Sequence, residues 1–188
     1  MKIILASTSP RRKELLSRLG LVFETEESGY EEEMRLELDP EKLAEHLSFH
    51  KAKPVSDRNP DAIVIAADTF IVFQGKYLGK PKGEEEARNM LKELSGKRHE
   101  IITGVTVMDK DKTISFVSKA DVYMKDLSLE TIDNYIKTGE PMDKAGAYAI
   151  QGKGAVLIEK MEGDFFGAVG LPIGRLSEEL KKFGINIL

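Results

Sequence analysis

The chain has 188 residues, of which 41% are hydrophobic and 32% charged, and a formal net charge of −4. This composition predicts a folded globular protein, one domain over residues 1–188, rather than a disordered or fibrous chain. The lack of cysteine excludes disulfides, thiolate nucleophiles and cysteine-based metal centres. The acidic balance argues against nucleic acid as a partner, and no apolar run approaches the roughly 18 residues of a membrane span. We therefore expect a cytoplasmic protein that binds neither nucleic acid nor a membrane.

The N-terminal segment predicts a strand, a tight polar turn and a helix. Residues 2–6 form a short apolar run, and Ser9 followed by Pro10 is typical of a helix N-cap and first helical position. Gly20 is expected to end this helix.

A second helix is predicted between two prolines. Asp39 and Pro40 repeat the cap signal, and the helix is expected to run to about Lys53. Pro54 is its predicted boundary, because proline lacks the N–H that a helix interior needs.

A continuous apolar run at residues 62–67 predicts a buried central strand that continues past Asp68 and Thr69 into residues 70–73. The later predicted elements are a helix at 84–94, strands at 100–108 and 113–124, a helix from Ser128 that Gly139 ends, a glycine-rich loop to Gly154, two short strands around Glu162 to Asp164, and a helix at 172–183. Strands and helices interleave early, so the expected fold class is α/β, with a central twisted mixed sheet flanked by helices.

The turn before the first helix offers a candidate phosphate site. It places Ser7, Arg11 and Arg12 at a helix N-terminus, where free backbone N–H groups and the helix dipole favour an anion. The alternative is that Ser9 only caps the helix and both arginines face water.

Asp68 is a candidate catalytic residue because it places a carboxylate at the end of an apolar run, where buried acids are uncommon without a purpose. Such an acid can hold a divalent cation or activate water, or it can simply accept backbone N–H bonds. The acidic run that contains Glu32 offers further oxygen ligands for Mg²⁺ or Mn²⁺, although acidic runs are usually solvated.

Two later segments carry polar groups suited to a nucleotide. Lys80 lies between Gly79 and Pro81, where a positioned ammonium could meet a phosphate, although a surface lysine is the commoner case. Gln151 ends a segment of small residues, and its amide could pair with a base edge. No histidine lies in a zinc-protease or triad context.

Taken together, several collinear blocks resemble the Maf family of nucleotide pyrophosphatases. They are LASTSPRRKELL (5–16), AADT (66–69), GKP (79–81), SGKRHEIITGV (95–105), GEPMDKAGAYAIQG (139–152) and GLPI (170–173). The resemblance implies a fold similar to that of the inosine triphosphate pyrophosphatases, with two lobes around a nucleotide cleft, and a homodimer.

The resemblance also implies roles for individual residues. Asp68 matches the family's proton acceptor, and Lys80 falls where the family places a phosphate contact, so both are expected to be catalytic. Glu32 and Asp68 are the implied metal contacts. The residues implied in substrate binding are Ser7, Arg11, Lys51, Thr69 and Gln151. Arginine, threonine and glutamine at positions 11, 69 and 151 resemble the subfamily that prefers dTTP and UTP, rather than the one that acts on 7-methyl-GTP.

The expected activity is that of a nucleoside triphosphate diphosphatase, which hydrolyses dTTP and UTP, or modified pyrimidine nucleotides, to the monophosphate and pyrophosphate. Water would attack the α-phosphorus with help from Mg²⁺ or Mn²⁺. The alternative is a regulatory or nucleic-acid-binding protein linked to septum formation and cell division, which the acidic balance and the lack of a nucleic-acid motif do not favour.

Overall fold

A computed structural model describes residues 2–30 and 38–188. The chain forms two compact units. The first unit comprises Met1–Thr69, Thr103–Ser118 and Phe166–Leu188, and the second comprises Phe70–Ile102 and Lys119–Phe165.

The described residues form a mixed α/β fold, as the sequence predicts. The strands are β1 (Lys2–Leu5), β2 (Glu24–Thr25), β3 (Ala62–Phe73), β4 (Lys76–Leu78), β5 (Arg98–Met108), β6 (Thr113–Met124) and β7 (Ile158–Gly163). The α-helices are α1 (Pro10–Ser17), α2 (Pro40–Arg58), α3 (Glu84–Leu94), α4 (Leu129–Ile136), α5 (Phe165–Val169) and α6 (Ile173–Lys181). None of these helices has the length and apolarity needed to cross a membrane.

The strands form one 7-stranded sheet in the order β2-β1-β3-β5-β6-β7, with β4 paired to β3. β1 is parallel to both β2 and β3, whereas β4 is antiparallel to β3 and β7 is antiparallel to β6. The short connection at residues 109–112 makes β5 and β6 an antiparallel pair, because a parallel pair needs a long crossover. The sheet is therefore mixed, which confirms the expected fold class.

In the first unit, both faces of the sheet are buried, which explains the continuous apolar runs of β1 and β3. Alternate residues belong to two separate core clusters. One cluster joins Ile3, Leu5, Ile63, Ile65 and Ala67 to Leu15 and Leu16 of α1 and to Leu176 and Leu180 of α6. The other joins Ile4, Ala6, Ala62, Val64 and Ala66 to Ala52 and Val55 of α2. Helices thus cover both faces of these strands.

The helix α2 packs against the sheet with unusually close backbone contact at Gly104 of β5. A Cβ atom at Gly104 would lie 2.0 Å from the carbonyl oxygen of Ala44 and 2.9 Å from the backbone nitrogen of Glu45. Only glycine permits this separation, which accounts for the glycine in the block SGKRHEIITGV.

The predicted end of α2 at Pro54 was wrong, because the helix continues through Pro54 to Arg58. Val55 is fully buried and Ser56 nearly so, and their burial supports the last turn despite the backbone hydrogen bond that proline cannot make. The two short strands predicted around Glu162 to Asp164 were also wrong. The segment forms the single strand β7, followed directly by α5.

The second unit places α3 against α4 and against the glycine-rich segment that follows α4. Ala87, Leu91 and Leu94 form the buried face of α3. An ion pair of 2.7 Å between Arg88 Nε and Asp133 Oδ1 joins α3 to α4 at the surface. This packing fixes the helices beside the segment that carries Gln151.

Candidate active site

Asp68 and Lys51 form a buried ion pair in the first unit. Asp68 follows Ala62, Val64 and Ala66 on the face of β3 that α2 covers, and Lys51 lies on the buried side of α2. Their exposed fractions are 4% and 8%, and the Lys51 ammonium donates to Asp68 Oδ1. Asp68 Oδ2 accepts no hydrogen bond from the residues that the structure describes. The pair therefore fixes one oxygen of the carboxylate and leaves the other for chemistry.

The next residue, Thr69, belongs to a different hydrogen-bond network, on the face of β3 that carries α1. Arg12 of α1 donates from Nη2 to Thr69 Oγ1 at 3.2 Å, from Nη1 to Ser7 Oγ at 3.4 Å and from Nε to the carbonyl of Gly170 at 3.0 Å. One guanidinium thus ties the turn after β1, the middle of β3 and the loop before α6 together.

Thr103 determines which way the hydroxyl of Thr69 points. The Thr103 hydroxyl donates to the carbonyl of Gly167 at 2.8 Å, so it cannot also donate to Thr69. The 2.9 Å contact between the two threonine hydroxyls is therefore a bond that Thr69 donates and Thr103 accepts. Because Thr69 also accepts from Arg12, its hydroxyl is oriented before any ligand binds.

Ser7 and Ser9 differ from the expected capping arrangement. Ser9 occupies the N-cap position of α1, but its side chain makes no capping hydrogen bond, and its backbone N–H donates to Ser7 Oγ at 3.2 Å. The hydroxyl oxygen of Ser7 thus accepts hydrogen bonds both from the backbone of the turn and from Arg12.

The two arginines at the start of α1 have different environments. Arg11 is partly exposed and makes no hydrogen bond or ion pair with the described residues, whereas Arg12 is committed to protein acceptors. Arg11 is therefore the guanidinium that is available to an anion. The inward position of Arg12 was not predicted, although its spacing from the buried Leu15 and Leu16 is the signal that places it on the inner side of the helix.

The second unit contains Lys80 and Gln151, both exposed and without hydrogen bonds or ion pairs to the described residues. The backbone N–H of Gly146 donates to the carbonyl of Gly79 at 2.9 Å. This bond places the turn that carries Lys80 against the segment that leads to Gln151. Both side chains are thus free to bind a ligand.

The segment before Gln151 has an unusual backbone. Ala147 is fully buried and has a φ of 60°, a conformation that costs a non-glycine residue about 1 to 2 kcal/mol. Tyr148 is buried beside it, and its hydroxyl lies 2.7 Å from His99 Nε2. The other ring nitrogen of His99 has no hydrogen-bond partner among the described residues, and burial lowers the pKa of His99 to about 4, although the charge of Asp121 acts to raise it.

Glu32, predicted as a metal contact, lies outside the described residues. Within residues 2–30 and 38–188, no group of three or more His, Cys, Asp or Glu side chains could hold a metal ion. The described part of the chain therefore contains a single predicted metal contact, Asp68, rather than a set of protein ligands.

Fold and site together define an α/β protein of the Ham1 fold type, with a buried, ion-paired acid on β3 and with cationic side chains, Arg11 and Lys80, that bind no other described residue. The Ham1 protein of Staphylococcus aureus aligns over 97% of this chain and 100% of its own, with a TM-score of 0.54 and 13% sequence identity. At that identity the match concerns the fold alone, and it confirms the fold type expected from the sequence.

The chain belongs to the Maf family. The family model described as Maf-like protein matches residues 2–183. A curated dTTP/UTP pyrophosphatase of Bacillus cereus is 47% identical over 186 residues, which cover 99% of this chain and 97% of that relative. Proteins of the same name from Bacillus thuringiensis and Bacillus anthracis are 47% and 46% identical over the same shares of the chains.

Proposed function

We propose that this protein hydrolyses dTTP and UTP to the nucleoside monophosphate and pyrophosphate. The observation that carries the proposal is the 47% identity to curated dTTP/UTP pyrophosphatases over 99% of the chain. The residues themselves support it, because a buried carboxylate, Asp68, and two cations without a partner among the described residues, Arg11 and Lys80, suit hydrolysis of a polyanion.

In the proposed reaction, the oxygen of a water molecule attacks the α-phosphorus, and the bond from that phosphorus to the bridging oxygen of the β-phosphate breaks. Pyrophosphate leaves with the electron pair of the broken bond. Asp68 takes the proton of the attacking water on the carboxylate that Lys51 holds in place through Oδ1. Lys51 is thus a positioning residue for Asp68, in addition to the phosphate contact that the family resemblance implies.

The negative charge of the phosphates is neutralised by cationic side chains that solvent can reach. Arg11 and Lys80 have no protein partner among the described residues, so their charges are available to the triphosphate and to the departing pyrophosphate. Stabilising the charge that develops on the leaving group supplies much of the catalysis in phosphoryl transfer. Gln151, whose amide is likewise free, can donate to a pyrimidine carbonyl and accept from N3–H.

A divalent cation, Mg²⁺ or Mn²⁺, fits the carboxylate of Asp68 when it is bound together with the nucleotide. Mg²⁺ is commonly held by one or two carboxylates plus substrate phosphates rather than by a cage of protein ligands, which suits the single acid at this position. Asp68, with Glu32 from outside the described residues, would hold the ion, which supplies Lewis-acid neutralisation of the phosphates.

We also propose that the protein acts as a homodimer in the cytoplasm. The family resemblance supports the dimer, and the cysteine-free composition suits a reducing compartment. Light scattering of the purified chain over a range of concentrations tests the dimer, and a constant monomer mass contradicts it.

The deciding experiment is hydrolysis in ¹⁸O-labelled water. A panel of dTTP, UTP, CTP, GTP and ATP with Mg²⁺ establishes the substrates, and the label then identifies the phosphorus that is attacked. Attack at the α-phosphorus puts ¹⁸O into the monophosphate, whereas attack at the β-phosphorus puts it into pyrophosphate. Release of orthophosphate as the first product, or label confined to pyrophosphate, would overturn the proposed mechanism.

A further inference from the structure

The carboxylate of Glu140 binds the backbone immediately after Gln151. Its Oε1 accepts the N–H of Lys153 at 3.0 Å and its Oε2 accepts the N–H of Gly154 at 2.8 Å. Gly152 passes so close that a Cβ there would lie 2.2 Å from Glu140 Oε1. The chain on the C-terminal side of Gln151 is therefore held by one side chain.

The hydroxyl of Tyr135 connects the two sides of Gln151. It donates to Glu140 Oε2 at 2.8 Å and accepts the backbone N–H of Ala149 at 3.0 Å. Ala149 precedes Gln151 and Gly154 follows it, so the pair of side chains closes the loop from both ends. A Cβ at Gly154 would lie 2.6 Å from this hydroxyl, which leaves no room for another residue type without movement.

The protonation states suit these roles. Burial acts to raise the pKa of Glu140, but hydrogen bonds from the Lys153 N–H, the Tyr135 hydroxyl and the Gly154 N–H, with the charge of Lys144, hold it below its usual value. Burial and the bond to Glu140 raise the pKa of Tyr135. Near neutral pH the glutamate is thus an acceptor and the tyrosine a donor, as both sets of bonds require.

The loop needs such support because part of its backbone is strained. Ala147 has a φ of 60°, and a conformation of that kind persists only where surrounding contacts determine it. By contrast, the side chain of Gln151 is exposed and unbonded within the described residues. Its position therefore depends on the backbone that carries it.

We propose that Glu140 and Tyr135 form a latch that positions Gln151 and thereby contributes to the choice of nucleotide base. Both are positioning residues that act through Gln151. The inference rests on the proposed function, since Gln151 is the residue that would pair with the base.

The first test measures the latch without any nucleotide. Amide hydrogen exchange is followed for Ala149, Lys153 and Gly154 in the wild type and in Glu140→Gln. The glutamine keeps the shape of the side chain but puts an NH₂ group opposite at least one of the donors that the carboxylate binds. Exchange at these amides should accelerate by about tenfold or more. Exchange that stays at the wild-type rate would overturn the latch.

The second test measures base selection. The ratio of kcat/KM for dTTP to that for GTP should fall by about tenfold in Glu140→Gln and in Tyr135→Phe. The matched control is Glu159→Gln, an exposed glutamate of the same unit, which should keep the wild-type ratio. A general loss of folding would instead lower the rates for both nucleotides by the same factor and leave the ratio unchanged, which would contradict the proposal.

A double-mutant cycle with Gln151→Ala establishes whether the effect passes through Gln151. In that background, Glu140→Gln should change the dTTP/GTP ratio by less than about twofold. A full additional effect would show that Glu140 acts by another route and would overturn the positioning role. If the wild type shows no preference for dTTP or UTP, the proposed function is contradicted instead. The hydrogen-exchange experiment needs no nucleotide, so it still tests whether Glu140 and Tyr135 hold the loop.

Discussion

Asp68 and Thr69 are consecutive residues of β3, and their side chains lie on opposite faces of the sheet, Asp68 against Lys51 of α2 and Thr69 against Arg12 of α1. The block AADT thus delivers two polar groups into two separate networks. A substitution in one network should leave the other intact, so the contributions of the two residues can be measured separately.

Replacing Asp68 with Asn should lower kcat by about 100-fold or more, the scale of a lost general base. The change also removes the negative charge of the buried ion pair with Lys51, and breaking such a pair from one side should lower the free energy of unfolding by about 3 to 5 kcal/mol. Steady-state kinetics and urea denaturation measure the two effects. A folded Asp68→Asn protein with wild-type kcat would make Asp68 a structural residue.

The control for that prediction is the double variant Lys51→Met/Asp68→Asn. Methionine keeps the length of the lysine stem and removes the buried charge, so the double variant should be more stable than Asp68→Asn by about 1 kcal/mol or more. Its activity should remain low. Recovery of activity together with stability would attribute the catalytic loss to unfolding.

Arg12→Ala should mainly lower the stability of the protein, whereas Arg11→Ala should mainly lower its activity. Arg12→Ala removes the donor from Ser7, Thr69 and Gly170, so the free energy of unfolding should fall by about 1 to 3 kcal/mol. Arg11→Ala should change stability by less than about 0.5 kcal/mol and lower kcat/KM for dTTP by about tenfold or more. Thermal denaturation and kinetics on both variants check this contrast, and equal stabilities would contradict it.

Gly104→Ala should destabilise the protein by about 3 kcal/mol or more, because the added methyl group would meet the backbone of α2 at Ala44. The matched control is Gly174→Ala on the exposed surface of α6, where no described atom outside the neighbouring backbone of the same helix lies within 4 Å of the new Cβ. That change should stabilise the protein by about 0.5 to 1 kcal/mol. Urea denaturation of both variants gives the comparison, and a neutral Gly104→Ala would show that α2 can move outward.

His99 should make stability fall as the pH is lowered from 7 to 5. Its pKa is about 4 in the folded protein and about 6.5 when unfolded, so the unfolded chain binds more protons between these values. The stability that neutral His99 contributes is fully present above pH 6.5. It is lost as the pH falls towards 4, and the free energy of unfolding decreases by about 3 kcal/mol in total. His99→Gln should flatten the plot of unfolding free energy against pH. If the slope stays unchanged in His99→Gln, the pKa of His99 is the same in the folded and unfolded protein, which would contradict the prediction.

The regular elements of this fold are predictable because their signals are local. The apolar run of β3 and the helix α3 were both predicted from residues that lie within the element itself. Pro54 misled the prediction of α2 because its cost is local, whereas the burial of Val55 that outweighs it comes from a distant part of the chain.

The site was predictable as a set of residues but not as a set of contacts. Nothing near Lys51 in the sequence indicates that it pairs with Asp68, because a phosphate and a carboxylate attract an ammonium equally well. For Arg12 the limit is narrower, because its spacing from Leu15 and Leu16 indicates the inner side of α1 but does not indicate Thr69 as its partner. Residue type sets what a side chain can bind, and long-range packing decides what it does bind.

The close approach of α2 to Gly104 has a consequence for how this sequence can vary over generations. In most helix–sheet contacts the intervening side chains set the separation, so each substitution among them shifts the helix. Here the Ala44 carbonyl rests against the strand backbone, and the separation is set by atoms that every amino acid carries. The separation that lets Lys51 reach Asp68 therefore does not depend on the size of the apolar side chains elsewhere on α2, whereas it does depend on the glycine at position 104.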